Sequence, residues 1–184
     1  GAMVSNGYAT PEVVERLRPL VDACKIDLKG LDERHYRRFG GRLRPVLDSI
    51  IRWREAGAWV EVVTLVIPGV NDDPEELRQL AKFLCSVSPD IPWHVTAFHP
   101  AFRMTDTPPT PTSTLERARS IGFEAGLRFV YAGNIPGRLD GGEDTRCPSC
   151  GALLIRRRGF RVEANHLRSG ACPSCGMAIA GIWS

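Results

Sequence analysis

Six cysteines lie in this chain, and four of them fall into two identical runs, Cys147-Pro148-Ser149-Cys150-Gly151 and Cys172-Pro173-Ser174-Cys175-Gly176. Between Cys150 and Cys172 there are 21 residues. Two thiolates separated by two residues face one ion when the backbone makes a tight turn. Proline pre-sets that turn, and glycine after the second cysteine lets backbone amides approach sulfur. Two such turns supply four sulfurs in a tetrahedron with no open position, the closed geometry of a structural zinc site. Cys147, Cys150, Cys172 and Cys175 are therefore expected to bind one structural Zn2+ in a small zinc ribbon. The same rubredoxin-like knuckles also hold iron. Cys24 and Cys85 stand alone among apolar residues and read as buried structural thiols.

A second set of chemically capable residues falls where strands should end. Asp27 and Lys29 close a short strand; two apart on an extended chain, they point the same way and could grip a zwitterion. A salt bridge at the rim is the simpler reading of the same pair. The loop Pro68-Gly69-Val70-Asn71-Asp72 follows a second strand, His99 a third and Asn134 a fourth. Asp72 and Asp73 could bind a cation, but capping the next helix accounts for them.

These positions depend on an alternation of helix and strand signals from Ala9 to about Tyr131. Thr10-Pro11 predicts a helix to about Asp22, Cys24–Leu28 a strand, and Asp32 the cap of a brief helix, Glu33 to Phe39. A longer helix is expected from Arg44 to Ala56. Trp59 to Ile67 is rich in β-branched residues and reads as a strand buried on both faces of a parallel sheet. Asp73-Pro74-Glu75-Glu76 and Ser113-Thr114-Leu115-Glu116 each look like a capping box opening a helix. Trp93–Phe98 and Arg128–Tyr131 complete four strands, and Val4-Ser5 forms a stub of a fifth. Short alternating connections require a parallel sheet, and so few strands do not close a (β/α)₈ barrel. The expected architecture is α/β: a partial (β/α) barrel over residues 4–140 and a ribbon over 145–184. Residues 1–3 read as an expression scar.

Hydrophobic residues make up 43% and charged residues 24% of the 184-residue chain, an ordinary globular balance. No apolar run is long enough to span a membrane, and no signal peptide is evident, so a cytoplasmic setting is expected. The net charge is +3; Thr145–Ser184 carries +5 and the remainder −2. Four thiolates around one Zn2+ would offset part of that basic excess. Nucleic acid is accordingly an unlikely partner, although a ribbon whose Arg156-Arg157-Arg158 edge meets nucleic acid or an acidic protein is a competing function. A rubredoxin-like electron carrier is another. The unpaired edge of a truncated sheet favours a homo-oligomer.

The order Ser5-Asn6-Gly7-Tyr8, Asp27-Leu28-Lys29, Ile67-Pro68-Gly69-Val70-Asn71-Asp72, Phe98-His99-Pro100 resembles the carboxyl-terminal half of a radical S-adenosylmethionine (SAM) enzyme. With the terminal knuckles, the likeness is to the pyruvate formate-lyase activating enzyme-like branch called AmmeMemoRadiSam-system enzymes. Met104–Pro111 and Tyr131-Ala132-Gly133-Asn134-Ile135-Pro136-Gly137 belong to the same likeness. In that family a [4Fe-4S] cluster cleaves SAM reductively to a 5′-deoxyadenosyl radical that abstracts hydrogen, in activating enzymes from a glycine of a partner protein. The resemblance implies that Ser5, Asp27, Lys29 and His99 line the SAM side of the barrel and that a protein substrate is possible. The family's Cys-x-x-x-Cys-x-x-Cys run is absent from this sequence. A chain lacking it is expected not to bind the cluster and to be inactive alone, as a fragment of a longer enzyme or a natural remnant.

Overall fold

The computed structural model describes residues 1–183. Five parallel strands lie in sequential order, β1 (Ala2–Ser5), β2 (Ala23–Asp27), β3 (Trp59–Val66), β4 (Trp93–Ala97) and β5 (Val130–Gly133). Helices α1 (Pro11–Leu17), α2 (Glu33–Arg38), α3 (Leu43–Glu55), α4 (Pro74–Val87) and α5 (Thr112–Glu124) connect them. A second, antiparallel sheet follows: β6 (Thr145–Arg146), β7 (Leu153–Arg158) and β8 (Arg161–Asn165).

The helices cover one face of the parallel sheet. Along β3, Val60, Val62, Thr64 and Val66 are buried, whereas Trp59, Glu61, Val63 and Leu65 are half-exposed. The expectation of burial on both faces is thus corrected: Val63 and Leu65 are apolar but face the concave side, where no helix packs. Trp53 and Trp93 fill the helix-side core without solvent exposure. Trp93 Nε1 donates to Thr64 Oγ1 at 2.9 Å, and that hydroxyl donates to the Leu28 carbonyl at 2.9 Å, so a buried polar relay crosses three strands. Close packing of α5 depends on Gly122, where a Cβ would fall 2.9 Å from Val130 and 3.0 Å from Trp93.

Local expectations are met and missed for identifiable reasons. Thr10, Asp32 and Asp73 cap their helices, Asp73 accepting from the amides of Glu75 and Glu76. Helix α1 stops at Leu17, short of Asp22. The capping box expected at Ser113 is not used, because α5 begins earlier, after Pro111. The first strand is no stub at Val4: Ala2 and Met3 pair with Ala23 and Cys24, so residues set aside as a scar are part of the sheet.

The ribbon packs on the end of the parallel sheet. Phe129, just before β5, shares a buried cluster with Leu154, Ile155 and Ile179, and with Cys147 and Cys172. Tyr131 and Thr145 join hydroxyls at 3.0 Å, and Arg157 donates to Thr145 Oγ1 at 2.6 Å from above the Tyr131 ring. No helix among the described residues is long and apolar enough to cross a membrane.

Candidate functional site

The carboxyl-terminal rim of the parallel sheet gathers Asp27, Lys29, Asn71, His99 and Asn134. Lys29 Nζ contacts Asp27 Oδ2 at 2.9 Å, with each side chain about one-third exposed (33% and 37%). The pair therefore rests as a salt bridge at the rim, and its exposure leaves both groups able to exchange partners with a ligand. His99 is exposed, and its Nε2 lies 3.1 Å from the Asn134 carbonyl oxygen. Ser5 is half-buried; its register partner is Ile26, on the helix-covered face, and its hydroxyl accepts from the Gly7 amide at 3.0 Å. Among the described hydrogen bonds Ser5 reaches neither Asp27 nor Lys29.

Three polar side chains lace neighbouring strand ends together. The Asn71 amide donates to the carbonyls of Lys29 (2.6 Å) and Leu65 (2.9 Å), and its oxygen accepts from Ile67 N (2.6 Å). Thr110 Oγ1 donates to the Val66 carbonyl at 2.6 Å and accepts from Phe98 N at 2.8 Å. Asn134 donates to the Ala97 carbonyl at 3.1 Å, from a left-handed backbone with φ 61°. Adjacent ends from β2 to β5 are thus tied pairwise.

The loop that carries Lys29 has two further anchors. Tyr36 Oη accepts from Lys29 N at 2.9 Å, and burial pushes its phenol up to about 12 against the opposing pull of that amide. Glu76 does not turn back on its own helix as a capping-box acid would. Its Oε1 accepts from Leu31 N (2.7 Å) and Asp32 N (3.2 Å), which joins α4 to the loop after β2. Sequence reading marked the Pro68–Asp72 loop but missed Tyr36, Thr110 and Glu76. Their partners are backbone atoms outside their own elements, from 7 residues away for Tyr36 to 45 for Glu76, so no local pattern announces them.

The four ribbon cysteines come together as expected. All four sulfurs lie within 4.8 Å of one another, with Cys147–Cys175 at 3.6 Å and Cys150–Cys172 at 3.7 Å. A tetrahedron with Zn–S bonds of about 2.3 Å has edges of about 3.8 Å, so the sulfur set fits a four-coordinate ion. The knuckles match bond for bond: Gly151 N donates to Cys147 O and Gly176 N to Cys172 O, both at 2.9 Å. Both glycines sit in the left-handed region, φ 73° and 74°. In each knuckle the first cysteine is buried and the second exposed. Cys24 is buried, and its thiol is pushed up to about 11 by that burial, as suits an inert core residue. Cys85 is half-buried.

Residues 2–84 match the family model of the radical SAM superfamily. An uncharacterized protein of Methanocaldococcus jannaschii is 39% identical over 180 residues, 96% of this chain and 53% of that protein. The choline trimethylamine-lyase activating enzyme of Oleidesulfovibrio alaskensis is 33% identical over 84 residues, 45% of this chain and 27% of that enzyme. The benzylsuccinate synthase activating enzyme of Thauera aromatica is 36% identical over 74 residues, 40% of this chain and 22% of that enzyme. The chain thus spans about half the length, or less, of the curated relatives it matches. In fold, it resembles a domain of a pyruvate-formate lyase-activating enzyme from Bacteroides vulgatus, with a TM-score of 0.63 at 23% identity over 72% of this chain and 80% of that one. A radical SAM methyltransferase from Sphaerobacter thermophilus gives a TM-score of 0.57 at 16% identity, covering 72% of this chain and 39% of that one. Asp27 and Lys29 fall inside the stretch matched by that family model, while His99 and the ribbon lie beyond it.

Proposed function

We propose that this chain supplies the SAM-facing rim of an activating enzyme of the AmmeMemoRadiSam type, acting on a polypeptide in the cytoplasm, with a structural zinc ribbon at its carboxyl end. The observation that carries the reading is the Asp27–Lys29 pair, half-exposed at the strand ends of the superfamily-matched region and held by Asn71 and Tyr36. Lys29 and Asp27 suit the carboxylate and ammonium of SAM, and His99 stands on the same rim. Bound SAM, together with an iron–sulfur cluster, supplies hydrogen-atom abstraction in this superfamily. The six cysteines contain no Cys-x-x-x-Cys-x-x-Cys run, which supports a chain that binds no cluster and is inactive alone. A polypeptide target is favoured by the two activating enzymes among its relatives. The outer edge of β1, where Val4 is 78% exposed, is the surface proposed for self-association.

Zinc rather than iron is proposed for the ribbon. The exposure of residues Cys150 and Cys175 favours one alternative, a rubredoxin-like electron carrier, which visible iron–thiolate absorption would reveal. A nucleic-acid-binding Arg156–Arg158 edge is disfavoured, because Arg157 turns inward onto Tyr131 and Thr145.

The test is SAM binding by saturation-transfer NMR, which needs no catalysis. Wild type should transfer magnetisation to the adenine protons, and the Asp27→Asn, Lys29→Met double variant should not. Equal transfer in both, or none in wild type, overturns the assignment.

A further inference from the structure

A cavity of about 830 Å³ lies on the concave face of the parallel sheet, walled on its other side by the ribbon. It runs from Ala23 and Phe129 at the strand starts to Asn134 at the rim, and its lining includes neither Asp27, Lys29 nor His99. The volume is that of a site for a small organic ligand. Its walls are aromatic on both sides: Trp59 and Tyr131 from the sheet, Phe160 and Trp183 from the ribbon. Phe160 is fully exposed, and Ile182 and Trp183, also on this wall, are 59% and 40% exposed. Large apolar side chains gathered around one concavity mark a place where something apolar sits.

The charges say which kind of apolar ligand. Both acids in the lining are already satisfied. Glu61 accepts from Trp59 Nε1 at 3.0 Å and pairs with His94 Nε2 at 2.9 Å, and Glu143 accepts from Gly159 N at 2.9 Å. The cations are not. Among the described residues, Lys25 has no hydrogen bond or ion pair through its ammonium, although Glu61 is its register partner on β3. The Arg157 backbone amide donates to Asp144 Oδ1, but among the described residues its guanidinium donates only to the neutral Thr145 hydroxyl and has no carboxylate within ion-pair distance. Two unpaired cations among aromatic walls match an anionic head on a planar apolar body.

We propose that this cavity binds an aromatic carboxylate, its ring between Trp59 and Trp183 and its negative charge in the joint field of Lys25 on β2 and Arg157 above β5. The site draws one wall from the parallel sheet and the other from the ribbon, so a ligand there bridges the two sheets. It requires neither SAM nor a cluster, and it stands or falls separately from the radical reading.

The experiment titrates the whole chain by calorimetry with 2-naphthoate, 2-naphthylmethanol and 2-naphthylmethylammonium. The anion should bind about tenfold tighter than the alcohol, as a charge-assisted contact requires, and the cation weakest. Lys25→Gln and Arg157→Gln should each weaken naphthoate severalfold without altering the alcohol. Lys25 is exposed, so its variant keeps the test decisive even if Arg157→Gln disturbs the ribbon. Equal or tighter binding of the ammonium analogue overturns the proposal. So does the absence of binding by any probe at millimolar concentration, or unchanged naphthoate affinity in Lys25→Gln.

Discussion

The side-chain amide of Asn71 donates to the main-chain carbonyl of Lys29 at 2.6 Å across 42 residues of chain. That bond holds the end of β2 to the loop after β3, and Asn71 is itself almost fully buried, at 1% exposure. Asn71→Ala removes three hydrogen bonds and leaves buried backbone groups unpaired, at a cost of about 2–4 kcal/mol. Urea unfolding of the variant should show that loss with an unchanged m-value. A loss below about 0.5 kcal/mol would show that water replaces the amide without penalty.

Gly30 and Glu76 should be energetically coupled. A Cβ at Gly30 would lie 2.5 Å from Glu76 Oε1, at a residue whose φ is 147°. Gly30→Ala is expected to destabilise by about 1–3 kcal/mol, and Glu76→Ala by a similar amount through two lost amide bonds. In a double-mutant cycle the combined loss should fall short of the sum, since removing the carboxylate relieves the clash. Strict additivity would contradict the shared contact.

Tyr36 predicts an alkaline limb in stability. Its phenol is raised from 10.0 to about 12 by burial, so the folded state holds the proton more tightly than the unfolded chain. The contribution is complete below pH 10 and is lost as pH rises through about 12. Stability by urea unfolding should decline above pH 10 in wild type, and the decline should be shallower in Tyr36→Phe. That variant also gives up the acceptor for Lys29 N, a loss of about 1 kcal/mol already present at neutral pH. Parallel pH profiles for the two proteins would remove Tyr36 as the cause.

Elemental mass spectrometry should find about one zinc per chain in a colourless solution. Cys150→Ser should lose the ion and unfold the ribbon while helical circular dichroism is retained, because α1 to α5 pack on the other face of the parallel sheet. Phe129 belongs to the ribbon's buried cluster, so exchange protection at β5 should fall in that variant while β2 and β3 keep theirs. A loss of helical signal would mean that the two sheets fold as one unit.

What could be read from the sequence divides by distance along the chain. Asp73 was legible as a cap because its partners, Glu75 N and Glu76 N, lie within one turn. The knuckles were legible because Pro, Gly and two cysteines act within five residues. Glu76 carried the right type and spacing for a capping box, yet its carboxylate serves amides 44 and 45 residues away. Val63 and Leu65 misled in another way: hydropathy records that a side chain is apolar, not whether a helix has been laid over it. The Arg157 side chain could not be told from its neighbours Arg156 and Arg158 until the strand pleat turned it toward Tyr131.

The alternation of buried and exposed cysteines gives any ion held there an inside and an outside. A chelator or oxidant arriving from solvent meets the exposed residues Cys150 and Cys175 first, one from each knuckle. Cys147 and Cys172 instead belong to the buried cluster that includes Phe129, so the inner half of the site is built into the packing at the end of the parallel sheet.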